Sequence, residues 1–495
     1  MNLGALTKAH HGAVLHGAAD LEVSGLSYDS RAVQRGDLFA ALHGAKQDGM
    51  EFIKGAKRKG AVAVLSDRAP SPEMPWIEAG DPRAALADLA TAHFGHPAEH
   101  LKLAGVTGTN GKTTTAFLID AALRRASKTT GLLGTIETRI AGRPKDSALT
   151  TPQAPDLQRL LREMVDERVT HAVMEVSSHA LVQERVRGIL FHAAVFTNLT
   201  RDHLDFHGDF DGYFEAKKRL FTEHLHPEGV GVFNIDDEHG RHLADAFRGR
   251  RAQTFSIQSV ADYRAEGLEV SLHGVRFTCV TPAGPVQVDS PLVGLFNVSN
   301  LLAAIGALVA LGLTPAEAAS GVSSLDGVPG RMERVDLGQP FSVIVDYAHT
   351  DDALRNLLET VRSLRPKRMI TVFGCGGDRD RSKRPLMGSV AAQRSDFVIA
   401  TSDNPRSESP IGILEEIAQG FKNHTTPFKL IADRREAIEL ALRSAEPDDV
   451  VVIAGKGHEA TQTIREKKLP FDDRLVAKDI IRTLGRDRGG AYARP

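Results

Sequence analysis

The run Gly108-Thr109-Asn110-Gly111-Lys112-Thr113 joins an apolar stretch, Leu101 to Val106, to a stretch of helical character from Lys112 to Arg125. A strand, a glycine-rich turn and a helix start place free backbone N–H groups and the positive end of a helix dipole where a phosphate chain can sit. In such a loop Lys112 reaches the β- and γ-phosphates and the Thr113 hydroxyl holds Mg²⁺, which is the chemistry of an ATP site. The spacing departs from the common phosphate-loop pattern, since five residues rather than four separate Gly105 from Gly111. Glu175 closes another apolar run and is followed by Ser177, Ser178 and His179. A carboxylate at that position could hold the same Mg²⁺; the alternatives are a helix cap or a solvated strand end. Asp202-His203-Leu204-Asp205 follows the next apolar run, and His203 is a candidate metal ligand. Lys217 and Lys218 share a helical stretch with Phe214, Leu220 and Phe221, and by pattern alone both are solvated lysines.

A second set of reactive side chains lies toward the C-terminus. Four apolar runs, Ser342 to Val345, Met369 to Phe373, Phe397 to Ala400 and Val450 to Ile453, alternate with helix-like stretches. This alternation predicts a parallel, doubly wound sheet. The runs empty into Asp346-Tyr347-Ala348-His349, Gly376-Gly377-Asp378-Arg379, Asp403-Asn404-Pro405-Arg406 and Gly455-Lys456-Gly457-His458-Glu459. Ligands bind at the carboxyl ends of strands in such sheets, so four polar clusters on one edge predict a ligand site. The Gly374-Cys375-Gly376-Gly377 run lacks the spacing of a dinucleotide fingerprint, and NAD is not expected.

The elements that position these groups fall into three segments. The first, to about residue 97, has short strand-like runs such as Ala61 to Leu65. The second, 98–330, holds the phosphate loop, strands at Ala172 to Val176 and Ala193 to Leu199, and a helix over Asp156 to Glu167 with Leu157, Leu160, Leu161 and Met164 on one face. The apolar stretch Leu301 to Leu313 is too short to span a bilayer and reads as a buried helix. The third is 331–495. Three domains suit a chain of 495 residues. A formal net charge of −2 provides no basic field for nucleic acid or a membrane surface. Cys279 and Cys375 stand far apart, which fits a reducing compartment and argues against a disulfide scaffold. No basic segment followed by an apolar core opens the chain, so no signal peptide is expected and the cytoplasm is the expected location.

Taken in order, these motifs resemble the Mur ligases of peptidoglycan synthesis. The likeness also rests on Asp29-Ser30-Arg31, Gly36-Asp37-Leu38-Phe39, Thr150-Thr151-Pro152, Thr197-Asn198, Ala216-Lys217, Phe296-Asn297 with Asn300, and Pro329-Gly330-Arg331. The resemblance implies an α/β protein of three domains: a small N-terminal α/β domain (1–97), a central P-loop-type ATP-binding domain (98–330) and a C-terminal Rossmann-like doubly wound domain (331–495). It implies that Gly108, Thr109, Asn110, Gly111, Lys112, Thr113 and Thr114 bind the ATP phosphates. Asn297, Asn300, Arg331, Asp346 and His349 would meet the nucleotide. Thr113 and Glu175 would hold one Mg²⁺, and His203 with a carbamylated Lys217 a second. Lys112, Lys217 and His203 would be the catalytic set.

By the same resemblance Tyr28, Ser30, Ala45, Lys46 and Gln47 would hold the UDP end of UDP-N-acetylmuramoyl-L-Ala-D-Glu. Thr150, Thr151, Ser177, Gln183 and Arg185 would hold its muramoyl-dipeptide. Arg379, Asp403, Asn404, Pro405, Arg406, Gly455 and Glu459 would take the incoming amino acid. The implied reaction is phosphoryl transfer to the D-Glu carboxylate, then attack by the amine of the third residue. A guanidinium at Arg406 suits the second carboxylate of meso-diaminopimelate and would repel the terminal ammonium of lysine or ornithine. The competing expectations are lysine or ornithine addition, or a ligase like folylpolyglutamate synthetase. The expected protein is a monomer acting on small molecules. One departure from the family is Thr350-Asp351, where Thr-Pro is common, and the missing proline is expected to loosen a turn.

Overall fold

The computed structural model describes residues 1–44, 47–71, 73–147, 149–249 and 251–487, so Ala45 and Lys46 lie outside the described residues. The chain divides into two compact units: residues 1–266, 278–287 and 299–324 form the first, and 267–277, 288–298 and 325–495 the second.

The first unit opens with a small sheet in the order Val14–His16, Trp76–Glu78, Ala63–Ser66, Asp37–Ala40, Gly25–Ser27. Its larger sheet includes, in this order, the strands Ala252–Ser256, Leu225–Asn234, Phe191–Phe196, Lys102–Thr107, His171–Glu175, Thr130–Leu133, Thr138–Ile140 and Arg143–Lys145. The strands from Ala252–Ser256 to Thr130–Leu133 are parallel. The phosphate-loop strand, Lys102–Thr107, therefore lies between the strands ending in Phe196 and Glu175, and their carboxyl ends share one edge. The helix Lys112–Arg125 has the predicted bounds. The helix Ala154–Asp166 buries Leu157, Leu161 and Met164 in the core with Phe191, Phe196 and Phe233, while Leu160 packs at its margin. The stretch around Leu301 is a helix, Leu295–Ala310, with Leu301, Leu302, Ile305 and Leu308 buried.

The second unit is built on a sheet in the order Glu333–Arg334, Ser342–Asp346, Val450–Ala454, Met369–Cys375, Phe397–Ser402, Phe428–Ile431. The first strand is antiparallel and the other five are parallel. The apolar runs are continuous because helices cover both faces. Val450 and Val452 enter the core beneath Leu354 and Leu358, while Val451 and Ile453 enter the one beneath Ala437 and Ile438. The last strand in sequence, Val450–Ala454, inserts between the first two parallel strands, so the ends at Asp346, Cys375, Ser402 and Ala454 lie on one edge.

Thr350 and Asp351 begin a helix. The Thr350 hydroxyl accepts from the Ala353 N–H and caps the helix Asp351–Ser363, and Asp351 brings an acid to its first turn. Cap and dipole stabilise a helix start without proline. Cys279 and Cys375 are free and buried.

Candidate active site

Gly108 and Gly111 take left-handed backbone conformations, with φ of 143° and 86°. A Cβ at Gly108 would stand 1.9 Å from the Thr197 hydroxyl oxygen, so the loop closes on the neighbouring strand end only with glycine there. The Thr197 hydroxyl donates to the Asn110 carbonyl at 2.6 Å, and the Asn110 N–H donates to Asn198 Oδ1 at 2.9 Å. Lys112 Nζ folds back on the Gly108 and Thr109 carbonyls, at 2.8 Å each. Asn300 accepts from the Thr115 hydroxyl at 3.4 Å, behind Gly111.

Glu175 is 1% exposed, and the adjoining helix Ser178–Val182 is capped by Ser177. Both alternatives for Glu175, a cap and a solvated strand end, are thereby excluded. Its carboxylate accepts from the Thr113 hydroxyl at 2.9 Å, the Thr135 N–H at 2.7 Å and the Thr135 hydroxyl at 3.0 Å. Hydroxyl and carboxylate oxygens at the mouth of a phosphate loop are the hard donors Mg²⁺ takes. Among the described residues no three His, Cys, Asp or Glu side chains converge as a ready metal cage.

The two lysines of the helix Phe210–Thr222 part company. Lys218 lies toward solvent and pairs with Glu215 at 3.0 Å. Lys217, expected from pattern to be solvated, is 1% exposed: its Nζ donates to the Gly108 carbonyl at 2.9 Å and sits 4.4 Å from the centre of the Tyr213 ring. The helix face set by Tyr213, Phe214, Leu220 and Phe221 packs inward and carries Lys217 with it. Burial, with the charge of Lys112 added, pushes the Lys217 amine well below the usual lysine range. His203, in a left-handed conformation at φ 53°, has its ring 4.8 Å from that of His179 and 6.3 Å from that of Tyr213.

Thr150, Thr151, Ser177, Gln183 and Arg185 come together beside Glu175. The Thr151 hydroxyl donates to the Glu175 carbonyl at 2.9 Å and accepts from the Ser177 N–H at 3.1 Å. The Thr150 and Thr135 hydroxyl oxygens are 3.0 Å apart. Arg185 donates to the Thr151 carbonyl and to Gln183. Burial lowers the Arg185 pKa, and the nearby charge of Arg83 adds to it. The Tyr28 hydroxyl donates to Asp156 at 2.7 Å, which ties the small sheet to the helix Ala154–Asp166. Ser30 is half-buried, and Gln47 is exposed with its carbonyl accepting from the Gly44 N–H.

In the second unit the four strand ends converge as expected. Asp403 and Asn404 are buried. The Asn404 amide donates to Glu459 at 2.8 Å, and its carbonyl oxygen accepts from the Thr463 N–H at 2.8 Å. Asp403 stands against Gly455, where a Cβ would fall 2.8 Å from its carboxylate oxygen. Arg406 has φ 51° and is pinned by a hairpin, Thr461–Ile464 with Lys467–Pro470: its N–H donates to the Thr463 carbonyl and its carbonyl accepts from the Arg465 N–H. Of its guanidinium, Nη1 donates to the Gly377 carbonyl at 2.6 Å. Arg379 is exposed and near Gly376. Asp346 accepts from the Met332 and Ala348 N–H groups, and Arg331 stacks 4.6 Å over the Tyr347 ring with a buried Nε that has no partner among the described residues. Asn297 is buried and donates to the Val293 carbonyl, and the His349 ring contacts that of Tyr347.

Three family models match the chain: a Mur ligase family catalytic domain over residues 22–94, a Mur ligase middle domain over 106–308, and a Mur ligase glutamate ligase domain over 330–457. A protein of Solibacter usitatus named UDP-N-acetylmuramoyl-L-alanyl-D-glutamate--2,6-diaminopimelate ligase is 48% identical over 470 residues, 94% of this chain and 95% of that one. One of the same name from Gloeobacter violaceus is 49% identical over 466 residues, 93% of this chain and 94% of that one. The solved structure of a ligase with that name, 35% identical, covers 98% of this chain and 99% of its own at a TM-score of 0.71.

The chain belongs to the Mur ligase family.

Mur ligases are ATP-dependent ligases, and this one carries the family's three-domain architecture. Several side chains that hold its site together were not singled out from the sequence. Thr135 follows the strand Thr130–Leu133 on the edge shared with Glu175; a short apolar run ending in Gly134-Thr135 was the available signal. Another is Tyr213, whose hydroxyl oxygen is 3.2 Å from that of Thr109. Arg434 gave no local signal: fully buried, it pairs with the buried Asp473 at 2.7 Å and donates to the carbonyls of Ser402 and Ala454, two of the site's strand ends.

Proposed function

We propose that this Mur ligase joins meso-diaminopimelate to the D-Glu of UDP-N-acetylmuramoyl-L-Ala-D-Glu at the expense of ATP. The observation that carries this is the near-full-length likeness to ligases named for that reaction. The half-buried Arg406 supports the choice of amino acid: one nitrogen is anchored on Gly377, and the guanidinium's other N–H groups suit a carboxylate.

The D-Glu side-chain carboxylate attacks the γ-phosphorus of ATP, the bond to the β-phosphate oxygen breaks, and ADP leaves. The amine of the third residue then attacks the acyl phosphate carbon, phosphate departs, and the amine loses a proton. The Gly108 to Thr114 loop and Lys112 cradle the phosphates, with Asn297, Asn300, Arg331, Asp346 and His349 toward the rest of the nucleotide. Thr113 and Glu175 would hold Mg²⁺, and His203 with a carbamylated Lys217 would hold a second ion. Bound there, Mg²⁺ supplies positive charge against the oxygens of the transferred group. The depressed basicity of Lys217 supports its modification, because the neutral amine is the form that adds to CO₂, giving a carbamate and releasing a proton. Tyr28, Ser30 and Gln47 take the UDP end, Thr150, Thr151, Ser177, Gln183 and Arg185 the muramoyl-dipeptide, and Arg379, Asp403, Asn404, Pro405, Arg406, Gly455 and Glu459 the amino acid. The functional domains are 1–97, 98–330 and 331–495. The enzyme acts as a cytoplasmic monomer on small molecules; no helix among the described residues is long and apolar enough to cross a membrane.

Phosphate release from ATP tests this, with the UDP-linked dipeptide and, in parallel, meso-diaminopimelate, L-lysine or L-ornithine. Release only with diaminopimelate is expected. Release with lysine or ornithine would overturn the specificity, and release with none would overturn the substrate assignment.

A further inference from the structure

Lys456 is fully buried, yet it lies between two glycines in the cluster that ends the strand Val450–Ala454. Its ammonium has three N–H donors and the structure uses all three. They reach Glu459 Oε2 at 2.9 Å, the Thr461 carbonyl at 2.7 Å and Asn404 Oδ1 at 3.3 Å. With its donors spent inside the protein, Lys456 has none left for a substrate.

The three acceptors sit on three different pieces of the site. Asn404 belongs to the loop that carries Arg406. Its amide is oriented by two donors on the oxygen, Lys456 Nζ and the Thr463 N–H, which turns its nitrogen toward Glu459. Glu459 receives Lys456 and Asn404 on the same oxygen, Oε2, and its side chain stays 31% exposed. Thr461 begins the hairpin whose Thr463 carbonyl and Arg465 N–H clamp the Arg406 backbone in its left-handed conformation.

We infer that Lys456 is the positioning residue of the amino-acid subsite, fixing the Glu459 carboxylate and the Arg406 guanidinium in one frame so that a substrate end bearing both an ammonium and a carboxylate is gripped at two points. This rests on the function proposed above. A lone ammonium-bearing chain end engages Glu459 but gains nothing from Arg406, so the frame also carries discrimination. Lys456 acts on binding of the amino acid and leaves the phosphoryl-transfer chemistry alone.

Steady-state phosphate release by the full-length enzyme tests this, with meso-diaminopimelate varied at saturating ATP and UDP-linked dipeptide. The variants are Lys456→Met, Glu459→Gln and the double variant, which removes both charges and keeps the subsite foldable if the single lysine change does not. Lys456→Met is expected to raise the diaminopimelate KM by about tenfold or more, with kcat and the KM for ATP within about threefold of wild type. The double variant is expected to raise the diaminopimelate KM by clearly less than the product of the two single effects, because the two side chains are coupled. An unchanged diaminopimelate KM in Lys456→Met, a parallel loss for all three substrates, or single effects that simply multiply in the double variant would overturn the inference. Wild-type enzyme that turns over no diaminopimelate overturns the proposed function and this inference together; wild-type turnover with an unmoved variant KM overturns the inference alone.

Discussion

The phosphate-loop edge of the first unit and the buried cations of the second unit's strand ends handle charge in different ways. In the first, Lys217 lies in the interior against a carbonyl and an aromatic face, with the cationic Lys112 nearby. Glu175 is buried among hydroxyls and one N–H, with no cation among its recorded bonds. In the second, three buried cations have counter-charges. Arg434 pairs with Asp473, Lys456 with Glu459, and the buried Arg384 with both Glu408 and Glu416. The Arg384 guanidinium, with the Asp378 N–H, holds the Glu408 carboxyl down at about 2. An uncompensated group in a low-dielectric site responds strongly to charge arriving on a substrate, which suits phosphoryl transfer. A compensated framework is stiff and presents a few half-exposed groups at fixed spacing, which suits recognition.

The largest expected effect comes from breaking the first pattern. Lys217→Ala should lower kcat by about a thousandfold or more, the scale of losing a preorganised electrostatic group, and added short carboxylic acids should restore part of it. Lys218→Ala should stay within about twofold of wild type, since that side chain lies on the solvent face. Phosphate release measures both, and full activity in Lys217→Ala would abolish the distinction between the lysines.

Breaking the second pattern should cost stability. Arg434→Met leaves Asp473 buried without a partner, an expense of about 3–5 kcal/mol. The Arg434→Met/Asp473→Leu pair should recover much of that loss in thermal unfolding. A double variant as unstable as the single would show that the bonds to Ser402 and Ala454, not charge compensation, matter there.

A smaller effect should separate recognition from chemistry. Arg406→Ala should raise the diaminopimelate KM by about a hundredfold, the scale of truncating one partner of a hydrogen-bonded charge pair, with ATP binding close to normal. Arg406→Lys should rescue little, because a point charge cannot make paired bonds to a carboxylate. Unchanged kinetics would remove Arg406 from the specificity argument.

The smallest effect asks whether uncompensated bases occur in the first unit away from its reacting edge. His171 lies at the opposite, amino edge of the sheet, where burial and the charges of Lys102 and Lys128 lower its pKa to about 4. Its folded pKa lies below the unfolded value of about 6.5, so the unfolded chain takes up the proton first as pH falls. Its contribution is therefore full above about 6.5 and is lost progressively down to about 4. His171→Gln should flatten the acid limb of the melting profile over that interval by about 2–4 °C. An unaltered limb would place the acid sensitivity elsewhere.

Much of this molecule was legible from its residues. Continuous apolar runs ending in polar clusters located the phosphate-loop strand and the parallel strands of the second unit, because strands buried on both faces must be apolar and must expose their ends. Observed bounds differ by up to three residues in places: Ala61 to Leu65 became Ala63–Ser66, and Ala193 to Leu199 became Phe191–Phe196. Local sequence also fixed the loop glycines, since Gly108 and Gly111 are required by backbone geometry within a few residues.

Sequence thus determined which groups stand at strand ends, for that depends on apolar periodicity and turn chemistry over short windows. Tertiary structure alone decided their states. Adjacent lysines on one helix became a buried amine and a surface cation because the helix packs one face inward. Glu175 became a carboxylate ringed by Thr113 and Thr135 because parallel strands far apart in sequence end side by side. The bonds of Arg434 and Lys456 join segments tens of residues apart, and such long-range burial leaves no periodicity for a sequence to display.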